Sequence, residues 1–175
     1  MNNLLAVSKK EIFPISLILF LSLFRIIPHP WNFTPIIAVA IMSSYFFKNI
    51  YLSYLVLLVS MLLSDVFIGF YEGMYFTYIS LFLITFIFFR INKKINTKSL
   101  FIFSFFGSLI FYLASNFGVW ILSGMYEKNL NGLLTCYVLA IPFFKNTFLS
   151  TIIFSYTAFF ANDFYNKKFL QKKYR

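Results

Sequence analysis

The sequence predicts an all-α membrane protein in which one bundle of six transmembrane helices forms a single domain. Five or six hydrophobic runs fill the 175 residues almost end to end. Hydrophobic residues make up 61% of the chain and charged residues 11%, against roughly 25% charged in an average soluble domain. Most lysines and arginines fall into one set of alternate gaps between the runs. A soluble core of this size could not absorb so much apolar surface, so any function is expected in or beside the bilayer.

The first two hydrophobic runs differ in length. Residues 12–27 are predicted as the first span, and the two lysines before them resemble the basic start of a signal peptide. Cleavage is not expected, because a proline, a histidine and a second proline follow where a cleavage site needs small residues. Residues 35–47 begin with a proline that the first helical turn tolerates, but about 13 residues are few for a span. This run is predicted to cross if residues 31–34 are shielded by protein, and otherwise to insert partly.

Three longer runs follow, and each is predicted as a span. Residues 50–70 form the third span and residues 74–89 the fourth, with glycine and glutamate in the tight turn between them. Residues 99–122 form the fifth span, after a basic polar stretch. Runs of about 18 or more apolar residues match the ~30 Å hydrocarbon core, because a helix rises ~1.5 Å per residue.

The last hydrophobic block, residues 133–161, is too long for one straight span and is interrupted at Pro142 and Lys145. Residues 133–144 are therefore predicted as a short re-entrant or interfacial segment before the last helix. Residues 143–161 are predicted as the sixth span. With these bounds the whole chain, residues 1–175, forms one integral membrane domain.

The basic residues assign an orientation to this bundle. Twelve of the 15 lie on one side: Lys9, Lys10, Lys48, Arg90, Lys93, Lys94, Lys98, Lys167, Lys168, Lys172, Lys173 and Arg175. Arg25, Lys128 and Lys145 lie on the other. The chain is expected in the inner (plasma) membrane of a bacterium, and the positive-inside rule then places both of its termini in the cytoplasm. The cations flank spans, so the net charge of +10 does not indicate nucleic-acid binding, and the basic C-terminal tail is expected to contact anionic membrane lipid.

Polar side chains at membrane depth gather near the outer ends of the predicted spans. An ionisable group there costs about 2.5 to 3.5 kcal/mol on insertion scales and usually faces protein or water. Separate segments supply these groups at one level, as a ligand pocket open to the outside would need. The candidate ligand-binding residues are Arg25, His29, Asn32, Asp65, Asn116, Trp120, Tyr137, Lys145 and Asn146.

Most of these candidates also have a plainer interpretation. Arg25 could extend along its helix to the headgroups or form a structural ion pair with Asp65. Asp65 could instead carry protons in a secondary transporter. Trp120 fits an interfacial aromatic belt, and His29 fits a loop at the interface. Lys145 and its neighbour could mark a helix start, where free N–H groups would favour an anionic ligand.

Catalytic and metal-binding patterns are missing from the sequence. It contains no G-x-S-x-G elbow, P-loop or H-E-x-x-H helix, so neither enzymatic activity nor ATP use by this chain alone is expected. His29 has no second histidine or cysteine nearby, and the single Cys136 is expected to be a small packing residue. We therefore expect no metal and no cofactor.

One face of the second run carries small residues, with Ala40 and Ser44 four positions apart. Small residues at this spacing let helices approach closely. Two interpretations remain open. The face could pack within the bundle, or it could dock another membrane subunit.

The stretch from Arg25 to Ile36 has the pattern R-x-x-P-H-P-x-N-F-T-P-I. It resembles the signature of an uncharacterised bacterial membrane family of about this length, DUF6580. Later pieces resemble that family's remaining motifs in order: Ser64-Asp65 with Gly69-Phe70, residues 116–120, Gly132-Leu133, Cys136-Tyr137 and residues 140–147. Family members usually carry more glycines after the Pro35-Ile36 pair and often Gly-Asp in place of Ser150-Thr151. The resemblance implies a six-span protein but no activity, since the family has no assigned function.

A more distant resemblance is to the S components of energy-coupling factor (ECF) transporters, in length, helix number and pocket position. It implies capture of a small, vitamin-like micronutrient outside the cell and a separate transmembrane coupling subunit with ATPases. S components usually carry the small-residue docking face on their first helix, where this chain has Leu and Phe. In this chain the small-residue face on the second run would have to dock the coupling subunit.

Two other classes of function remain open. A non-transporting membrane module that organises partner proteins or lipids would need only the small-residue face and the basic tail. An ion-coupled carrier would use Asp65 and Arg25, although such carriers generally contain more helices or inverted repeats. We predict a solute-binding subunit of the S-component type.

Overall fold

The fold is an all-α bundle, as the sequence predicts. A computed structural model describes residues 7–91 and 95–170. Its helices are α1 (Ile12–Ser22), α2 (Ile36–Phe46), α3 (Ile50–Ile68), α4 (Met74–Ile91), α5 (Thr97–Leu122) and α6 (Leu130–Tyr165). A 3-10 turn, Leu23–Arg25, continues α1, and a π-helical segment, Asn166–Leu170, continues α6. Lys93, Lys94, Lys172, Lys173 and Arg175, which contribute to the predicted orientation, lie outside the described residues.

Four helices, α3 to α6, are long and apolar enough to cross a membrane. The two N-terminal helices are shorter. The first run is helical from Ile12, but its α-helix ends at Ser22 and the last turn is 3-10. The structure is thus compatible with a membrane protein, with four helices of spanning length among the described residues.

Helix α2 forms the centre of the bundle. Every residue from Ile36 to Ser44 is buried, and the helix contacts α1, α3, α4, α5 and α6. A helix that is hydrophobic on all sides is stable where protein surrounds it. At ~1.5 Å per residue its 11 residues cover roughly 17 Å, about half of the hydrocarbon core.

Small and hydroxyl side chains bring the other helices close to α2. Ala40 is fully buried, and Thr85 on α4 donates a hydrogen bond to its carbonyl at 3.2 Å. A Cβ at Gly107 of α5 would lie 3.0 Å from the Ile41 side chain, so glycine permits this approach. Ser44 is buried as well. The face with Ala40 and Ser44 therefore lies inside the bundle, where another subunit has no access to it.

The last hydrophobic block differs from its prediction. The expected break is wrong, because Leu130–Tyr165 is one helix with Pro142 inside it. Tyr112 on α5 donates to the carbonyl of Tyr137 at 2.5 Å, and the Tyr137 hydroxyl donates to the carbonyl of Leu113 at 2.9 Å. Membrane helices tolerate proline where neighbouring helices pack against them. At 36 residues α6 is roughly 54 Å long, so it must extend beyond a ~30 Å hydrocarbon core.

Candidate functional site

A buried ion pair joins the end of the first helical segment to α3. Arg25 Nη2 lies 2.7 Å from Asp65 Oδ1, and the two side chains are 8% and 0% exposed. The N–H bonds of Arg25 do not align with this oxygen, so the contact is an ion pair rather than a hydrogen bond. Arg25 Nη1 donates to Ser64 Oγ at 2.5 Å, and the Tyr78 hydroxyl donates to Asp65 Oδ2 at 2.5 Å. Partners of this kind are what a buried charge requires.

The local sequence places these groups together. The 3-10 turn packs against α3, so Arg25 faces that helix. Met61, Ser64 and Asp65 are three and four residues apart and lie on the buried face of α3. Gly69, with φ of 97°, then ends the helix, and its N–H donates to the Asp65 carbonyl at 2.8 Å. The pair is therefore held at the last turn of α3, close to the connection between α3 and α4.

A cavity of about 300 Å³ lies beside the ion pair. This volume is at the lower end for ligand pockets. The cavity is lined by Arg25, Asn32, Thr34, Ile36, Tyr71, Thr77, Phe111, Ser115, Asn116, Val119 and Thr147. They come from the 3-10 turn, the connection before α2, α2 itself, the start of α4 with its preceding turn, α5 and α6. A second cavity of about 240 Å³ shares Tyr71, Thr77, Ser115 and Val119 with the first.

A family model described as a family of unknown function (DUF6580) matches residues 6–173. The chain belongs to the DUF6580 family. No curated protein and no solved structure matches it. The resemblance to S components therefore stays a prediction.

Three of the sequence-predicted site residues line the cavity of this DUF6580 protein: Arg25, Asn32 and Asn116. Asp65 lies directly behind Arg25 as its ion-pair partner. Asn32 has a φ of 59°, a left-handed conformation that asparagine tolerates better than most residues. The structure thus brings together four predicted residues from three separate parts of the DUF6580 sequence.

Two other predicted residues support the backbone near this region. Asn146 on α6 donates to the carbonyl of Trp31 at 3.0 Å and so ties the connection before α2 to α6. Tyr137 joins α6 to α5 through the hydrogen bonds described above. Neither side chain lines the 300 Å³ cavity.

The remaining predicted residues lie outside the cavity lining. His29 is exposed, with Nδ1 2.9 Å from the carbonyl oxygen of Pro30, and Lys145 is exposed on α6. The Trp120 indole donates to the carbonyl of Glu127 at 2.9 Å, so it secures the loop between α5 and α6. None of these three residues lines the cavity of the DUF6580 chain.

Sequence reasoning missed several hydroxyl groups of the site. Tyr78 binds Asp65, and Thr77, Ser115 and Thr147 line the cavity. Ser115 directly precedes the predicted Asn116, and Thr147 directly follows Asn146. A projection of the buried helix face would have found Thr147, which is buried on the same side of α6 as Ala140 and Thr151.

Metal binding has no support among the described residues, where no three His, Cys, Asp or Glu side chains form a group that could hold an ion. Cys136 is a buried free thiol whose Sγ lies 3.5 Å from the carbonyl oxygen of Asn116. In the part of the chain that the structure describes, Arg25 is the one ionised side chain in the cavity wall. The arrangement offers directional hydrogen bonds and a compensated charge, which suit ligand binding.

Proposed function

We propose that this DUF6580 protein crosses the bacterial inner membrane six times, with both termini in the cytoplasm, and binds a small solute from the outer face. The observation that carries the proposal is the cavity beside the Arg25–Asp65 pair. Six segments converge on it, its volume suits a small metabolite, and a buried ion pair forms part of its wall. Intramembrane ionisable groups usually mark a functional site.

The grouping of charges supports this orientation. Lys10, Lys48, Asn162 and Asn166 share a hollow of about 740 Å³, so the start of α1, the link from α2 to α3 and the end of α6 meet at one end of the bundle. We call this the Lys48 end, and the end with the cavity the Arg25 end. The positive-inside rule assigns the Lys48 end to the cytoplasm and the Arg25 end to the outside.

As a transport subunit of the S-component type, the chain would deliver its solute with the help of a separate transmembrane coupling subunit with ATPases. Ala40 and Ser44 are buried, so this subunit would have to dock on an outward face of the bundle. Membrane lipid would cover the remaining exposed apolar side chains, such as Phe67, which is 70% exposed. The chain itself would perform no catalytic step.

A thermal-shift screen of the purified protein in detergent tests solute binding. The panel contains vitamins, nucleobases, amino acids and metal ions. A ligand at 100 times its Kd adds about 2.7 kcal/mol to the free energy of unfolding. We expect a hit that is lost in Arg25→Ala, in Asp65→Ala and in the double variant Arg25→Met/Asp65→Leu, and kept in Lys145→Ala, which changes an exposed residue outside the cavity.

The double variant separates binding from folding, because it removes both charges of the pair and leaves neither one buried alone. A hit that persists in a folded double variant would contradict the proposed site. No hit across the whole panel would favour the alternative, a non-transporting membrane module that organises partner proteins or lipids.

A further inference from the structure

Most of the hydrogen-bond donors on the α5 and α6 wall of the cavity are already used. Ser115 Oγ donates to the carbonyl of Phe111 at 2.7 Å, and Thr147 Oγ1 donates to the carbonyl of Phe143 at 2.9 Å. Asn116 Nδ2 donates to the carbonyl of Tyr112 at 2.8 Å. All three bonds run to a backbone carbonyl of the same helix, four residues earlier.

These bonds determine what the wall can offer a ligand. A hydroxyl has one hydrogen, so Ser115 and Thr147 can only accept further hydrogen bonds. A backbone carbonyl never donates, which fixes the amide of Asn116 with its nitrogen toward Tyr112 and its oxygen free to accept. The α5–α6 wall therefore presents three oxygen acceptors and one remaining donor, the second N–H of Asn116.

The rest of the lining includes further donors, beside Asn32 and Thr34, which can donate or accept. Arg25 carries five N–H groups, and its contacts with Asp65, Ser64 and the Met61 sulfur engage only some of them. The Tyr71 hydroxyl donates to Thr77 Oγ1 at 2.9 Å, which leaves the hydrogen of Thr77 itself available. A ligand that donates toward α5 and α6 and accepts near Arg25 would match most of these groups.

The charge balance restricts the ligand further. Arg25 is compensated by Asp65, and the other described residues of the cavity wall are neutral side chains. A ligand with a net charge would be buried without a counterion, and an ammonium group would meet no carboxylate on the α5–α6 wall. An uncharged N–H group suits that wall, and a carbonyl oxygen suits Arg25.

We propose that the cavity selects an uncharged solute with an amide or lactam group, which donates N–H hydrogen bonds to Ser115, Asn116 and Thr147 and accepts one from Arg25. This inference rests on the proposed function and names its ligand class. It excludes organic anions, inorganic cations and free amino acids as the preferred ligands.

Matched compounds test this class by thermal shift and equilibrium dialysis on the purified full chain in detergent. The first set is uracil, orotate and 1,3-dimethyluracil, and the second is nicotinamide, nicotinate and N,N-dimethylnicotinamide. Within each set the first compound is uncharged with N–H donors, and the third lacks those donors. The second carries a carboxylate, which is added to the ring in orotate and replaces the amide in nicotinate. We expect the first compound of at least one set to bind, and its two partners to bind at least tenfold more weakly.

Ser115→Ala removes one acceptor oxygen from the wall and is expected to weaken binding by about three- to tenfold, the usual range for one neutral hydrogen bond. Ser16→Ala is the matched control. Ser16 Oγ makes the same kind of bond within its helix, to the carbonyl of Ile12 at 3.0 Å, but it is exposed and outside the cavity. Binding by the control should be unchanged.

The outcomes distinguish the two proposals. If a carboxylate compound, an N-methylated compound or an amino acid binds as well as the uncharged donor, and the Arg25→Met/Asp65→Leu variant loses that binding, the solute site stands and the ligand class is wrong. If no compound of these sets or of the wider panel binds, both proposals fail together. Equal affinity in Ser115→Ala and in the unaltered protein would also overturn the ligand class.

Discussion

Each end of the bundle carries a hollow, and the charged side chains in the two hollows differ in their exposure to solvent. In the wall of the 300 Å³ cavity and next to it, Arg25 and Asp65 are buried, paired and supported by Tyr78. At the Lys48 end the larger hollow is lined by Lys10, Glu11 and Lys48, and both lysines are exposed. A buried charge is stable only with partners, whereas an exposed one keeps its hydration. A buried charge therefore needs a set of partners around it, as Arg25 and Asp65 have, whereas an exposed cation needs none.

The largest expected effect is the loss of one partner of the buried pair. Asp65→Ala leaves Arg25 without its counterion and should lower the free energy of unfolding by about 3 to 5 kcal/mol. The double variant Arg25→Met/Asp65→Leu should recover most of this loss, because no charge remains buried. Thermal unfolding in detergent followed by circular dichroism measures both. Equal losses of stability in the single and double variants would show that the unpaired charge of Arg25 is not the cause of the destabilisation.

A smaller effect is expected from the hydroxyl that supports the pair. Tyr78→Phe removes a hydrogen bond to a carboxylate and should cost about 1.5 to 3 kcal/mol in the free energy of unfolding. The matched control comes from the Lys48 end, where the Tyr156 hydroxyl donates to the carbonyl of Thr97 at 2.6 Å. Tyr156→Phe should cost less than half as much, since its acceptor is neutral. If the two variants lose the same stability, the charge of Asp65 does not strengthen the hydrogen bond from Tyr78.

Crowding at the Arg25 end gives the next test. A Cβ at Gly118 would lie 2.5 Å from the Phe76 ring, so Gly118→Ala must displace that ring into the adjoining 240 Å³ cavity or push the helices apart. Overpacking of this kind costs about 1 to 3 kcal/mol. We expect a lower melting temperature and weaker ligand binding, measured in one thermal-shift titration. Unchanged stability would mean that Phe76 moves freely within the cavity.

The smallest effect is expected at the Lys48 end. Lys48→Ala removes an exposed charge and should shift the melting temperature by no more than about 1 °C, with unchanged solute affinity. Binding to vesicles that contain phosphatidylglycerol should weaken, since each basic residue near an anionic surface contributes about 1 kcal/mol. If Lys48→Ala changes solute affinity as much as Ser115→Ala does, solute binding is not confined to the Arg25 end.

The sequence predicts the all-α class well, because long apolar runs leave few alternatives. It also identifies Arg25 and Asp65, since a charge inside an apolar run is conspicuous, although it leaves their pairing open. A projection of the buried helix face finds Thr147 as a buried residue, but it does not show that Ser115 or Thr147 lines a cavity. A hydroxyl within a helix has the same local signature whether it faces a cavity or a packed neighbour.

The continuity of α6 shows a second limit of the sequence. Pro142 predicts a break, yet the helix continues through it and packs along α5, to which Tyr137 is hydrogen-bonded. Local sequence carries no record of such a contact. The burial of Ala40 and Ser44 was likewise open, because a small-residue face suits an internal neighbour and an external partner equally well.

Helix α2 separates the two hollows. Ile36 at its start lines the cavity, and Phe46 at its end lines the hollow on the opposite side. With water in both hollows, the insulating layer of the protein would be roughly 17 Å thick along α2, against ~30 Å for the surrounding bilayer. A membrane potential would then fall over about half the usual distance. A charge that crossed this layer would experience nearly twice the electric field found in the lipid, with the same total work of about 2.3 kcal/mol per 100 mV.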